Sequence, residues 1–110
     1  MKQFIFAGSA AIALLAQMPV MAAEVWATVY HSSYHNGRTA SGERFDYYGY
    51  TAASSRYPLG TQLQVSRGGR SVTVRVNDRC RCDLDLAYGA MRDLGGHSNW
   101  SGPVTVRVLR

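Results

Sequence analysis

Two carboxylates are placed to do chemistry. Glu43 lies in the polar stretch R-T-A-S-G-E-R-F-D (Arg38–Asp46), and Asp78 directly follows a strand-like run in V-R-V-N-D-R (Val74–Arg79). Carboxylates in loops and at strand ends of a β scaffold sit where sites are commonly built. A pair of carboxyl groups, one serving as general acid, is the minimum equipment for cleaving a glycosidic bond. The competing reading of each is a solvated or capping carboxylate. Asp78 also carries an electrostatic tension: Arg79 and Arg81 beside it favour its charged form, so burial or another carboxylate must offset them if it is to donate a proton.

The aromatic content points the same way. Trp26, Tyr30, Tyr34, Tyr47, Tyr48, Tyr50, Tyr57, Tyr88 and Trp100 crowd the chain after residue 23, where Phe45 is the sole phenylalanine. Tyrosine and tryptophan join an apolar face to a polar handle, which suits sugar rings when they are exposed. Tyr34, Tyr47 and Tyr48 are the expected exposed ones, and some of the aromatics share in core packing. Cys80 and Cys82 form a Cys-Arg-Cys, a disulfide candidate in an exported protein. A bridge across a single residue closes a tight ring, and strain makes such a bond more reducible. His31 and His35 fall in a loop, on no common face, and no ligand set of metal-site spacing exists, so no metal and no cofactor is expected. The chain has no G-x-S-x-G elbow, no H-E-x-x-H and no phosphate-binding glycine loop.

Short strands must position these groups. Glu24–Tyr30 is rich in β-formers, Tyr50–Ser54 is a possible strand, and Thr61–Ser66 alternates with Leu63 and Val65 on one face. Gly68-Gly69 marks a hairpin into Ser71–Asn77, where Val72, Val74 and Val76 share a face. Asp78–Asp83 reads as a short charged loop. Ala87–Leu94 has helical spacing, with Ala87, Ala90, Met91 and Leu94 on one stripe, and stops at Gly95-Gly96. Pro103–Leu109 closes the chain with Val104, Val106 and Val108 inward. His31–Asp46 is a long polar loop. Five or six strands and one short helix argue for a small barrel or sandwich, and the echo of S-V-T-V-R-V in P-V-T-V-R-V hints at internal symmetry.

The 110 residues allow one domain. Lys2 precedes the apolar run Phe4–Ala16 and a small-residue exit, the pattern of a secretory signal peptide spanning residues 1–23. The domain is then 24–110, exported to the periplasm or the outside. No cysteine lies near the cut to carry a lipid, and no apolar run is long enough to span a membrane. Basic residues number 12 against 7 acidic, for a charge of +5. Lys2 is the only lysine, so the rest of that positive charge is arginine, whose planar fork suits anionic or polar polymers. Arginine with tyrosine also suits nucleic acid, but export argues against that partner.

T-A-S-G-E-R-F-D (Thr39–Asp46), T-A-A-S-S-R-Y-P-L-G-T (Thr51–Thr61), V-T-V-R-V-N-D-R (Val72–Arg79) and D-L-D-L (Asp83–Leu86) occur in that order. Together they resemble the rare lipoprotein A-like domain, related to barwin and expansin domains, over about Trp26 to Leu109. The resemblance implies a mainly β fold, a six-stranded double-psi β-barrel with one short helix. It also implies lytic transglycosylase action on peptidoglycan glycan strands, by a monomer, with Glu43 and Asp78 catalytic. Tyr30, Tyr34, Tyr47, Ser54, Asn77 and Arg79 are then expected to hold the glycan. Ser54 stands where the family commonly has a histidine, and Cys80-Arg81-Cys82 rebuilds the loop after the N-D-R motif. Cysteines there are a feature of the barwin and expansin relatives, so the alternative expectation is a non-catalytic, expansin-like polysaccharide-binding module.

Overall fold

The computed structural model describes residues 22–110. The chain forms strands β1 (Ala22–Val29), β2 (Thr51–Ala53), β3 (Gln62–Arg67), β4 (Arg70–Asp78), β5 (Leu84–Leu86) and β6 (Gly102–Val108), with helix α1 (Tyr88–Asp93) between β5 and β6. The expected export signal falls outside the described residues except for Ala22 and Ala23, which open β1 opposite Arg107 and Val106.

The six strands close into a barrel in the order β1-β5-β2-β4-β3-β6. The β1–β5 and β2–β4 pairs are parallel and the others antiparallel. Alternation builds the interior. Val25 and Ala27, Leu63 and Val65, Val74 and Val76, Leu84 and Leu86, and Val104 and Val106 all turn inward and are buried. Ala90, Met91 and Leu94 of α1 join them, as their spacing on one helical stripe requires. Closure leaves no sheet edge unpaired, which matters for a chain this small.

Gly68 and Gly69 have φ of 53° and 81°, the left-handed pair that a two-residue hairpin needs. The two echoing segments lie on either side of β3, both antiparallel to it. Strand β5 has only three residues, too few for alternation in D-L-D-L to distinguish strand from loop. At the far end of β6 the expected inward set breaks down: Val108 is about half exposed, because the strand has reached the barrel rim.

A second, smaller cluster lies apart from the main core. Tyr30, Phe45, Tyr47, Ala53 and Ala87 are buried together, with Cys80 and Tyr88 packed against them. This cluster fastens the long loop between β1 and β2 to the barrel wall.

Candidate active site

The site is built at the C-terminal end of β4. Strict alternation after Val74 and Val76 would turn Asp78 into the core. Instead the register with β2 shifts: Val76 faces Ala52, Asp78 faces Ala53, and Asn77 is the extra residue. This β-bulge buries both Val76 and Asn77. It puts Asp78 in register with Ala53, whose side chain belongs to the outer cluster. Bulges re-aim side chains in this way.

The long loop supplies the other wall. Asn36 N donates to Phe45 O at 2.8 Å and Phe45 N to Gly37 O at 2.7 Å, so the loop doubles back as an arch. Phe45 stacks on Tyr30 with ring centroids 4.0 Å apart, which pins the arch to the end of β1. The tip turns at Gly42, whose φ of 92° other residues rarely adopt. Thr39 N and Thr39 Oγ1 both donate to Glu43 O at 2.8 Å. The tip reaches the bulge, where Ser41 N donates to Asn77 O at 3.0 Å and Ala40 N donates to Asp78 Oδ1 at 2.9 Å.

Asp78 thus accepts three hydrogen bonds: Tyr30 Oη–H on Oδ2 at 2.8 Å, and the N–H groups of Ala40 and Arg79 on Oδ1, each at 2.9 Å. Burial, and then the bond to Asp78, push the Tyr30 phenol well above its ordinary range, so it serves as a fixed donor. The Arg79 side chain makes no contact with Asp78. Its guanidinium turns away to donate to Tyr57 O at 2.8 Å.

Glu43 meets a different partner. Arg75 donates to both its oxygens, at 2.6 and 2.9 Å. Chiefly through this fork, with Asn77, the Arg75 charge and Ser41 acting in the same direction against some desolvation, Glu43 is lowered to about 2. Glu43 therefore stays anionic across the physiological range. Arg75 escaped sequence reasoning: its place in V-R-V marks it as outward, but nothing local pairs it with a residue in another loop.

A third carboxylate was also missed. Asp85 lies between the inward Leu84 and Leu86 of β5, directly opposite Thr28 of β1. It accepts the Thr28 hydroxyl at 2.7 Å. Burial raises Asp85 above its ordinary value, the Thr28 hydrogen bond opposes this, and the charge of Asp78 adds to the rise. The signal was present in D-L-D-L: a carboxylate between two core leucines is held on the outer wall of a half-buried strand.

The remaining expected residues divide. Tyr34 is 62% exposed and stands edge-on to Tyr30 at 6.1 Å, beside the site. Tyr48 is exposed as expected, but Tyr47 is not; it is 8% exposed and stacks on Tyr88 at 5.2 Å. Burial in the outer cluster removes Tyr47 from any surface a glycan can reach. Ser54 is fully buried too. Its hydroxyl donates to Asp83 O at 2.6 Å and accepts the N–H groups of Arg56 and Tyr57 at 3.0 and 3.2 Å. That serine braces the turn after β2 and presents no free atom to a ligand. Asn77 is 2% exposed, with Oδ1 lacking a hydrogen-bond partner, so it shapes the floor of the site. Tyr30 likewise acts from beneath, through Asp78. Cys80 and Cys82 are joined as a disulfide, with Cα atoms 5.2 Å apart, and Cys80 packs on the outer cluster beside Asp78.

Comparison with known proteins bears on this arrangement. The lytic transglycolase model, a double-psi β-barrel family, matches residues 26–108. A probable endolytic peptidoglycan transglycosylase RlpA of Synechocystis is 40% identical over 90 residues, covering 76% of this chain and 28% of that protein. This chain thus spans under a third of that relative's length. The expansin of Clavibacter michiganensis superposes with a TM-score of 0.64 at 27% identity, over 82% of this chain and 51% of that one. A papain inhibitor from Streptomyces shares the fold, with a TM-score of 0.67 at 23% identity over 86% of this chain and 100% of the inhibitor. The matched stretch runs from Trp26, midway along β1, to the end of β6 and contains Glu43, Asp78 and the other five strands, so the chain belongs to the lytic transglycolase family of double-psi β-barrels.

Proposed function

We propose that this protein is an exported peptidoglycan lytic transglycosylase, acting on glycan strands of the bacterial wall in the periplasm or outside the cell. The observation that carries the reading is the loop tip that binds β4 and sets Glu43 and Asp78 at one end of the barrel: Ala40 N holds Asp78 while the neighbouring Ser41 hydroxyl contacts Glu43 Oε1 at 3.3 Å. The names of the RlpA relatives support it.

The roles follow from the electrostatics. Glu43, held anionic by Arg75, cannot be the proton donor; it stabilises positive charge developing at the anomeric carbon. With Glu43 excluded, Asp78 is the carboxyl assigned to carry the proton. Asp78 gives its proton to the glycosidic oxygen as the bond from C1 breaks. The C6 hydroxyl of the same sugar attacks C1 and returns its proton to the Asp78 carboxylate, leaving a 1,6-anhydro end and consuming no water. Tyr30, Ala40 N and Arg79 N hold the Asp78 carboxyl group in place. The exposed Tyr34 and Arg79, on either side of Asp78, are assigned to the glycan.

The test is digestion of glycan strands stripped of stem peptides, with products resolved by mass. Anhydro ends from the parent, and none from D78N, are expected. Absence of anhydro ends from the parent refutes the reading. In that case pull-down on insoluble peptidoglycan, weakened by salt, would favour the expansin-like binding module, for which the Clavibacter neighbour and the buried Ser54 at the usual histidine position speak.

A further inference from the structure

The outer face of β1 carries its side chains in file. Val25 and Ala27 face the core, so Glu24, Trp26 and Thr28 face outward. Tyr30, just past the strand, continues the file in the outer cluster. The file joins two places. At one end Tyr30 Oη–H donates to Asp78 and the Thr28 hydroxyl to Asp85. At the other, Glu24 lines an open cleft of about 410 Å³ that the proposed chemistry does not use, together with Pro103, Thr105, Ser66 and Ser71. Glu24 pairs with Thr105, Thr105 with Ser66, and Ser66 with Ser71, so these four form one row across β1, β6, β3 and β4. At about 3.3 Å per residue, Glu24 and Tyr30 are roughly 20 Å apart.

Trp26 stands between them and is 55% exposed. Its neighbours Val25 and Ala27 supply the core contacts of this part of the strand, so burial does not account for an indole here. Pro103, also exposed, is its partner on β6. On the other side Ala27 is level with Leu84 of β5, which sets Asp83 beside Trp26. Trp26 N donates to Asp83 Oδ2 at 3.2 Å, and Arg56 Nη1 lies 3.6 Å from Asp83 Oδ1. The indole is thus bordered by a carboxylate engaged at both oxygens and by a guanidinium, both partly exposed. A pyranose ring needs that combination: a flat apolar surface for its C–H face, with acceptors and donors at the edge for its polar substituents.

We propose that Trp26 is a stacking platform for a sugar ring, and that a glycan strand engaged at Asp78 runs along the outer face of β1, across Trp26, toward the cleft. Asp83 and Arg56 take the hydroxyl or acetamido groups of the stacked sugar. The serine and threonine hydroxyls of the cleft take those of the sugars beyond it. Trp26 and Tyr30 are roughly 13 Å apart along the chain, so the occupant is an oligosaccharide and not a single ring. The role of Trp26 as a distal subsite of the cleaved strand rests on the function proposed above; its affinity for sugar does not.

The test follows the two indole N–H signals by NMR during titration with a β-1,4-linked N-acetylglucosamine hexamer, and with sorbitol, a polyol that has no ring face. Trp100, packed against the core beneath Arg67, is the internal reference. A saturable shift of Trp26 with the hexamer and none with sorbitol is expected, with Trp100 unmoved. W26A removes an exposed side chain and should weaken binding about tenfold or more, read from the backbone amides of Thr28 and Asp83. W26Y keeps a flat ring and should regain most of the affinity. A Trp26 signal that does not move or does not saturate, an equal response to sorbitol, or equal affinity in W26A overturns the proposal. Anhydro-product formation by the parent is scored separately. Its absence beside a saturable Trp26 shift removes the cleavage reading and keeps the platform; its presence beside an unmoved Trp26 does the reverse.

Discussion

Replacing Arg75 with methionine tests the electrostatic logic of the site most directly. Methionine keeps an aliphatic stem on β4 and leaves the strand pairing intact, but it deletes the fork that holds Glu43. Glu43 lies at about 2 against an unperturbed 4.5, with the Arg75 hydrogen bonds the leading cause. In R75M its midpoint should return most of the way toward 4.5, because only Asn77 and Ser41 remain to lower it. The energetic consequence is small. The two side chains are 43% and 44% exposed, so solvent screens the pair and its loss should cost about 0.5–1 kcal/mol. For a domain of this size that is a fall in Tm of roughly 2–8 °C. The sign of the pH dependence is fixed: a carboxylate lowered on folding adds stability above its unfolded value, and that stability is lost as pH falls from about 4.5 to 2. The parent should therefore lose stability through this window more steeply than R75M. The assay is a carbon-13 NMR titration of the Glu43 carboxyl in both proteins, with thermal melts at pH 2 and pH 6. A Glu43 midpoint in the parent near 4.5, or one unmoved by R75M, would refute the reasoning and with it the assignment of Glu43 as a permanent anion.

The other predictions concern how the site is held. F45A removes the ring stacked on Tyr30 and should cost about 3 kcal/mol; since it also frees the tip that binds Asp78, anhydro-product formation should fall at least tenfold at temperatures where circular dichroism shows a folded barrel. D85N removes a carboxylate whose ionisation the fold opposes. A raised group contributes its stability below the unfolded value of about 3.9 and loses it as pH rises through the folded value, so D85N should match the parent near pH 3 and melt higher at pH 7. Equal Tm differences at both pH values would contradict the burial argument. The double variant C80S/C82S should lose only about 1.6 kcal/mol, because a bridge across one residue restrains little unfolded-chain entropy. A loss above about 4 kcal/mol by denaturant melting would mean that the outer cluster depends on the bridge.

Much of the barrel was legible locally. The inward sets of β3 and β4, the glycine hairpin between them and the apolar stripe of α1 are spacing effects, and a period of two or 3.6 residues is written in neighbouring positions. Tyr47 and Tyr48 show where that legibility stops. They are adjacent and chemically identical, yet Tyr47 stacks on Tyr88 while Tyr48 stays 58% exposed. Only the placement of α1 against the loop decides between them.

The site divides along the same line. Sequence determined that Glu43 and Asp78 are the carboxylates to examine, since motif order and strand ends are properties of the chain. It also determined the alternating inward residues of β3 and β4. Tertiary structure decided what each carboxylate became. The bulge at Asn77 depends on the register between β2 and β4, and it reverses the face that alternation predicts for Asp78. The Arg75 fork that keeps Glu43 anionic joins groups 32 residues apart, and the charge of Asp78 reaches Asp85 on the same outer face, across β2. Ionisation depends on the distance and burial of groups remote in the chain, so no local pattern encodes it.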